Sequence, residues 1–504
     1  MMRPALTTLL RWFEVADGPA AATGLVAACA FALGASSCTM PSGTSGGATA
    51  ARAPAPTRPT ERSPALRPGG ADAEATAWRA EGEPVLRVRL VQRAKDAVVG
   101  GVNGAPLVAS AEGGVPRTVQ GPVRVTRLSR GWLLSNLSGG PPEVIGDLSA
   151  EPGALRLRPA TGKSALTLNN TEYPGELALL PRLPRTPTTP TAAAEAPASP
   201  ATPASPAAQT AARIEFDVIE HVPMEAYLPG VVSRELFPNW SLNAFKAQAI
   251  AARTYAMHER LRSRRSGEDF DLESTQLDQV YGGSVDHAVA DRAVNETRGM
   301  VLVFEGLPLR AYYSSTCGGR PSRAASVWPT GRGFEFNLAA PIQGAQGPET
   351  ACNFSPRYRW TLIRSREDLT RRLAAFGREQ GLSVRGLKQL ARVDVDTATP
   401  DGRPLTYKIF DADGKWYPIS AEQLRTACNW AGTSGRPAVN ASTRVYSGDL
   451  VFTPRGEEFL IEGRGFGHGV GLCQFGAEGM SRAGSSAEQI VTHYYPGAVL
   501  EKAY

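Results

Sequence analysis

Residues 224–257, MEAYLPGVVSRELFPNWSLNAFKAQAIAARTYAM, carry the clearest structural pattern in this sequence. The first part has a helical composition but contains Pro229 and Gly230, so we expect the helix to be broken there. Ser241 has the side chain and position of a helix N-cap. An apolar stripe at helical spacing follows it and predicts an amphipathic helix: Phe245, Ala249, Ala252 and Ala256.

Strand patterns precede these helices. EPVLRVRLVQ (83–92) alternates apolar and polar residues, and VRVTRL, ALRLRP and RIEFDVIEHV are further strand-like runs. ALTLNNTEYPGELALLPRL (165–183) predicts a hairpin-like pair of strands. Near the C-terminus, Ser486 and Gln489 predict a capping box for a helix that ends before Pro496. Helices mixed with short strand groups indicate an α+β fold.

Two segments have too little apolar surface to offset the entropy of ordering them. One is the N-terminal tail, and the other is a Pro/Thr/Ala-rich tract. Since strand patterns resume after the tract, we interpret it as a long loop inside one domain, with an interdomain linker as the alternative. The predicted organisation is an export signal at 1–38, a disordered tail at 39–83, a β-rich part at 84–185, a disordered insertion at 186–212 and the core domain at 213–504.

The N-terminus predicts export. Arg3 and Arg11 precede the apolar run Ala20 to Ala35, which ends in a lipobox-like ASSC with Cys38 as a candidate lipid anchor. The alternatives are an ordinary cleaved signal and a misassigned start codon. Later in the chain no apolar stretch reaches the ~18–20 residues of a membrane span, so contact with a membrane is expected only through such an anchor. The net charge of +6 is dispersed, which suits an anionic polymer but not nucleic acid.

Glycines occupy every second position between Gly463 and Gly471, around His468. In an extended chain this spacing removes the side chains from one face, which allows a polymer or another backbone to approach closely. Tight internal packing is an equally supported interpretation. The spacing fits neither a dinucleotide fingerprint nor a phosphate-binding loop, and we predict no cofactor.

The motifs VVSRELFPNW, AFKAQAIAARTYA, QVYGG, STCGG and GFGHGVGLCQFGA, with a terminal HYYPG, together resemble the stage II sporulation protein D family, also called the sporulation/LytB domain family. The resemblance is strong over residues 213–504 and weaker over 84–185. It implies lytic transglycosylase activity, which cleaves the MurNAc–GlcNAc bond of peptidoglycan without water. The catalytic carboxylate of the family corresponds to Glu235.

Such a reaction suits a single carboxyl group. It protonates the glycosidic oxygen and then accepts a proton from the C6 hydroxyl that attacks C1, provided that burial raises its pKa. Leu236, Phe237 and Trp240 are candidates to exclude water from Glu235. A two-carboxylate hydrolase would need a second acid, and Asp278 is the candidate by motif.

The substrate-binding residues predicted within the same motifs are Lys246, Gln248, Tyr255, Gln279, Tyr281, Ser315, Thr316, His468 and Gln474. Lys246 or Gln248 is expected to meet the glycan. Arg253 is expected to be paired inside the domain.

The remaining cysteines are Cys317, Cys352, Cys428 and Cys473. An even number in an exported chain favours disulfides, and the first hypothesis among three connectivities is Cys317–Cys352 with Cys428–Cys473. A thiol nucleophile paired with His468 is an alternative that nothing else in the chain supports.

Zinc is a further alternative, because some family members carry Cys and His in this region. Here the corresponding positions hold Glu273, Leu277, Asp278 and Ser314, so we predict no metal site.

The functions that compete are therefore a glycan-cleaving enzyme, a glycan-binding enhancer of a cell-wall amidase, and a structural envelope protein. The expected partners are peptidoglycan glycan strands and, for the second function, an amidase. The expected location is the cell envelope.

Overall fold

The structure is a computed structural model that describes residues 78–79, 82–112, 114–146, 153–161, 165–182, 214–344, 350–432 and 438–504. Helices and strands alternate irregularly along these residues, which confirms the α+β fold. The predicted export signal with Cys38, and the insertion at 186–212, lie outside the described residues. Within the described ranges, no helix is both long and apolar enough to span a bilayer.

The N-terminal part consists of strands. They are β1 Val85–Ala94, β2 Ala97–Gly101, β3 Leu107–Ala111, β4 Arg117–Val119, β5 Val123–Arg127, β6 Trp132–Asn136, β7 Glu143–Ile145, β8 Leu155–Pro159, β9 Leu166–Leu168, β10 Thr171–Tyr173 and β11 Glu176–Pro181.

The later strands are β12 Phe216–Pro223, β13 Leu272–Glu273, β14 Met300–Phe304, β15 Leu307–Pro308, β16 Tyr313–Ser314, β17 Trp360–Ser365, β18 Leu390–Ala398, β19 Pro404–Asp411, β20 Trp416–Ser420, β21 Asp449–Arg455, β22 Glu458–Arg464, β23 Leu472–Cys473 and β24 Val499–Lys502. The helices are α1 Met224–Glu235, α2 Leu242–Arg265, α3 Ala288–Glu296, α4 Ala324–Val327, α5 Arg366–Gln380, α6 Ala421–Asn429, α7 Gln474–Arg482 and α8 Ala487–Tyr494.

Two sheets pack face to face in the N-terminal part. One has the strand order β13-β1-β12-β11-β8-β3-β4, and the other has the order β10-β9-β2-β5-β6-β7. Alternating apolar residues of both sheets form one buried cluster, in which the Trp132 and Phe216 rings lie 5.3 Å apart. The predicted hairpin is present as β9 and β10, whereas β11 joins the other sheet.

The Pro/Thr/Ala tract connects two neighbouring strands. β11 and β12 pair antiparallel with Pro181 opposite Phe216, and Arg182 N donates to the Glu215 carbonyl at 2.9 Å. β12 also pairs with β1. The tract therefore joins two adjacent strands of a single sheet. That it is a loop inside one domain stays a prediction.

The prediction of disorder up to residue 83 is wrong at Trp78 and Glu83. The Trp78 ring is 2% exposed within the main hydrophobic core, and its Nε1 donates to the Gly306 carbonyl at 2.8 Å. Glu83 forms an ion pair with Arg298. The polar and small-residue composition around Trp78 gave no indication that this ring packs into the main core.

The predicted break in the first helix is also wrong, because α1 continues through Pro229 and Gly230. Proline at this position removes one backbone hydrogen bond, but burial of Tyr227, Leu228 and Val231 outweighs that loss. Gly230 is required sterically. A Cβ there would lie 2.3 Å from the Gly283 carbonyl oxygen and 2.7 Å from the Tyr281 ring.

Helix α2 forms the centre of the main core. The predicted stripe from Phe245 to Ala256 is completely buried, which confirms its orientation. Ser241 is the N-cap residue, although its side chain makes no capping bond and its N–H donates to Glu478 Oε2 at 2.8 Å. The capping box of Ser486 and Gln489 at α8 is formed as predicted.

A second hydrophobic core, which the sequence analysis did not anticipate, occupies residues 360–461. Two three-stranded sheets, β17-β22-β21 and β18-β19-β20, surround it together with α5 and α6. The predicted core domain thus contains two clusters of buried apolar residues, and the chain returns to the first one through the glycine-rich segment.

Candidate active site

Glu235 is the last residue of α1, and its half-buried carboxyl faces the first residue of α7. Gln474 Nε2 donates to Glu235 Oε2 at 2.8 Å. The parallel pairing of β16 with β23 places α7 here, since Ser314 lies opposite Cys473. Two segments 239 residues apart in sequence therefore meet at this carboxyl.

Burial raises the pKa of Glu235 from 4.5 to about 7, and the Gln474 hydrogen bond opposes part of that rise. Removal of water disfavours the carboxylate, whereas an N–H donor stabilises it. No neighbouring carboxylate of the described residues contributes to the shift. The group is thus poised to donate and to accept a proton near neutral pH.

Two tyrosines and an amide form a buried network beside Glu235. Gln279 accepts a hydrogen bond from the Tyr227 hydroxyl at 3.1 Å, and its Nε2 donates to the Tyr313 hydroxyl at 3.0 Å and to the Ala252 carbonyl at 3.2 Å. Burial raises the pKa of both tyrosines, and the negative charge of Glu235 adds to the rise. Gln279, predicted to bind substrate, instead holds these hydroxyls in place.

The carboxyl group of Asp278 is hydrogen-bonded within the protein. Its Oδ1 accepts a hydrogen bond from the Tyr255 hydroxyl at 3.0 Å, and its Oδ2 accepts one from Glu273 N at 2.8 Å. Arg310 donates to the same tyrosine hydroxyl at 3.2 Å. Burial raises the pKa of Asp278 to about 6. Both oxygens are therefore engaged, and Tyr255 is 5% exposed and directed into this network.

Aromatic rings form a surface next to Glu235. Phe475 contacts Trp240 at 4.9 Å, Phe354 at 5.4 Å and Phe237 at 6.0 Å between ring centroids. Phe237 is 55% exposed and Phe354 is 39% exposed. Exposed aromatic faces beside an acidic group suit a sugar ring. Sequence analysis missed Phe354 and Phe475, and the only available indication was that Phe475 follows Gln474.

The glycine-rich segment is not extended. Gly465, Gly467, Gly469 and Gly471 all have positive φ, and a Cβ on Gly471 would lie 2.0 Å from the Tyr312 carbonyl oxygen. The segment folds tightly against residues 312–317, so the alternative of internal packing is correct. The segment therefore does not form the predicted extended face without side chains that a polymer could contact.

Residues 315, 316 and 468 belong to this packing. Thr316 exchanges two backbone hydrogen bonds with Phe466, and the Ser315 carbonyl accepts from Phe475 N at 3.0 Å. The His468 ring lies 4.8 Å from Trp328, its Nδ1 accepts from Val470 N at 3.1 Å, and burial lowers its pKa to about 4.

The other residues predicted to bind substrate lie on α2 and in the QVYGG segment. Lys246 forms an ion pair with Glu296 of α3, and Gln248 is completely buried. Tyr281 packs 4.6 Å from the Tyr227 ring. Arg253 is buried against Glu225 at 2.7 Å, which confirms its predicted internal pairing. Of the predicted substrate-binding residues, Gln474 is the one whose described side chain is hydrogen-bonded to Glu235.

The predicted disulfides are not formed, since all four described cysteines are present as thiols. Cys428 lies in the second core and Cys473 in the first, so these two do not pair. The Cys317 and Cys352 sulfurs are 3.7 Å apart. Cys473 joins them in a buried cluster that could hold a metal ion, contrary to the expectation of too few neighbouring soft ligands. The three thiols are distant in sequence and meet only through folding.

The fold and the site define a class: an α+β protein with a helix-end glutamate of raised pKa beside exposed aromatic rings. Comparison with known proteins specifies it further. A family described as Stage II sporulation protein matches residues 212–304, which contain α1 and Glu235. The chain belongs to the stage II sporulation protein D family.

Three relatives illustrate the range of similarity. An uncharacterised protein of Brachyspira hyodysenteriae is 30% identical over 56% of this chain and 67% of its own length. The stage II sporulation protein D of Bacillus subtilis is 26% identical over 56% of this chain and 76% of its own length. The amidase enhancer of Bacillus subtilis is 27% identical over 54% of this chain, but over only 40% of its own length.

Proposed function

We propose that this protein is a lytic transglycosylase that cleaves the MurNAc–GlcNAc bond of peptidoglycan glycan strands, with Glu235 as its acid–base group. The proposal includes a location in the cell envelope, reached through the predicted N-terminal export signal. The observation that carries it is the pKa of about 7 at a single carboxyl beside an exposed aromatic surface.

The reaction divides into two proton transfers. Protonated Glu235 gives its proton to the glycosidic oxygen while the C1–O bond breaks and positive charge develops on the sugar. The resulting carboxylate then takes the proton of the C6 hydroxyl as O6 bonds to C1. The products are a free GlcNAc hydroxyl and a 1,6-anhydro MurNAc end, and the carboxyl is protonated again.

The chain's own residues fit these steps. Gln474 holds one oxygen of Glu235 and leaves the other available to the substrate. A two-carboxylate hydrolase requires a second acid about 5–9.5 Å away that can act on water or on the sugar. Both oxygens of Asp278 are hydrogen-bonded within the protein. This engagement argues against Asp278 as the second acid and supports a mechanism that uses Glu235 alone.

The test uses purified glycan strands from which an amidase has removed the stem peptides. Mass spectrometry after incubation distinguishes the products, since an anhydro end is lighter by one water than a hydrolysed reducing end. Anhydro ends support the proposal, and reducing ends would replace it with hydrolysis.

The second candidate is a glycan-binding enhancer of a cell-wall amidase, and the similarity to an amidase enhancer favours it. Intact strands in that assay would support this candidate instead, together with faster peptide release when an amidase and this protein act on peptidoglycan that still carries its stem peptides. The two outcomes are separable because only the first creates new glycan ends.

A further inference from the structure

Three cysteines from distant segments converge in the main core. Cys317 lies in the STCGG turn after β16, Cys352 lies eight residues before β17, and Cys473 ends β23 as the N-cap of α7. Their sulfur atoms all lie within 4.8 Å of one another, and those of Cys317 and Cys352 are 3.7 Å apart. None of the three residues is more than 2% exposed.

We propose that Cys317, Cys352 and Cys473 bind a zinc ion through three thiolates. Two sulfurs bound tetrahedrally to zinc at about 2.3 Å are about 3.8 Å apart, which matches the separation of Cys317 and Cys352. A disulfide would use only two of the three sulfurs, and it would require a separation of about 2.05 Å. Zinc accounts for all three thiols in mutual contact.

The surroundings of Cys473 suit a thiolate. Its sulfur accepts hydrogen bonds from Cys317 N at 3.4 Å and from Gly476 N at 3.3 Å. Backbone N–H groups and the positive end of a helix stabilise negative charge on sulfur. Donors of this kind typically surround metal-bound thiolates and fix their orientation.

The backbone segments that carry the cysteines pack closely against one another, which restricts the positions of the three sulfur atoms. A Cβ on Gly479 of α7 would lie 2.0 Å from the Ala351 carbonyl oxygen, next to Cys352. A Cβ on Gly318 would lie 2.5 Å from Gly465 N, next to Cys317. The three ligands are therefore pre-arranged, and a small exogenous ligand such as water would complete the tetrahedron.

The ion would have a positioning role for the site described above. Cys473 directly precedes Gln474, whose side chain is hydrogen-bonded to Glu235. Zinc at this place would join the start of α7 to the STCGG turn and to the segment around Cys352. Binding itself does not depend on the proposed reaction, and it is measured without turnover.

The experiment measures zinc by elemental analysis in the purified full-length protein after incubation with zinc and removal of unbound ion. We expect one zinc per chain in the wild type and at least a tenfold lower content in C317S, C352S and C473S. C428S is the matched control, because Cys428 is equally buried but lies in the second core, and it should keep one zinc.

Cobalt substitution provides a measurement on the unaltered chain, so that a variant that fails to fold leaves the proposal testable. Cobalt bound to three thiolates should give sulfur-to-metal charge-transfer absorption in the wild type and in C428S, and zinc should displace it. A protein without stoichiometric zinc and without this absorption would overturn the proposal. So would a mass two units below that of the reduced chain, because it would identify a disulfide within the cluster.

Discussion

At the scale of single residues, the Glu235 carboxyl combines one strong donor with an environment that disfavours its charge. Gln474 lowers its pKa while burial raises it to about 7. The balance matters because a group used first as an acid and then as a base works best when its pKa lies near the ambient pH.

Replacing the carboxyl tests its chemical role. Glu235→Gln retains the size of the side chain but has no acidic proton, so anhydro-product formation should fall about 10²–10⁴-fold or more. The fraction of the protein that sediments with peptide-free glycan strands should remain unchanged. Glu457→Gln, at an exposed turn between β21 and β22, is the control and should keep full activity. Undiminished product from Glu235→Gln would exclude this residue from the mechanism.

The Gln474 hydrogen bond should set the pH range of the proposed reaction. In Gln474→Met the carboxylate of Glu235 loses its donor, so its pKa should rise further above 7. The acid form then persists to higher pH, and the alkaline limb of the rate profile should move upward by about one pH unit. Gln389→Met, at an exposed position outside the site, should leave the profile in place. An unshifted limb would show that another group titrates.

The exposed phenylalanines should contribute to glycan affinity. Phe237→Ala and Phe354→Ala each remove an aromatic face, and we expect KM to rise about 3–10-fold with a smaller change in kcat. Trp416→Ala is a matched control, since Trp416 is 49% exposed but lies on β20 beside the second core. If all three variants have the same KM, the glycan does not use this surface.

At the scale of elements, the position of α1 depends on the close contact of Gly230 with the QVYGG segment. Its Gly230 admits the Tyr281 ring and the Gly283 carbonyl, which a side chain would displace. The QVYGG segment supplies these atoms as well as Gln279, so the position of α1 and the tyrosine network are coupled through a single glycine.

Gly230→Ala should therefore destabilise the protein by about 1–3 kcal/mol, because the added methyl group overpacks a buried contact. A lower thermal midpoint by differential scanning calorimetry checks this expectation. Gly331→Ala provides the comparison, since a Cβ there meets nothing within 4 Å and its φ is ordinary. Equal midpoints for both variants would mean that the segment around Tyr281 yields without cost.

At the scale of the whole molecule, one sheet unites the parts on either side of the Pro/Thr/Ala tract. β12, which follows the tract, lies between β1 and β11, which precede it. The fold on both sides should then depend on the strand pairing and not on the length of the connection.

Replacing residues 186–212 with a short Gly/Ser loop should leave the thermal midpoint nearly unchanged. The ends to be joined are already neighbours, because Arg182 bonds to Glu215 across the two strands, and loop length has only a weak effect on closure entropy. A large loss of stability would instead show that the tract packs against the folded core.

The sequence by itself predicted the α+β class, the buried stripe of α2 and the capping box of α8, whereas Glu235 became the candidate carboxyl through the family resemblance. These features depend on local periodicity or on short motifs, which neighbouring residues determine. It could not predict that α1 continues through Pro229, since only the packing of Tyr227 and Val231 overrides the local preference.

The tertiary structure alone decided which distant residues meet. Gln474 reaches Glu235 through the pairing of β23 with β16, and Cys317, Cys352 and Cys473 approach one another across gaps of 35 and 156 residues. The glycines between 463 and 471 illustrate the same limit, because their spacing fits an extended strand while close contact with Tyr312 and Thr316 imposes positive φ. Local composition determines what a segment can form, and contacts between distant segments select among those forms.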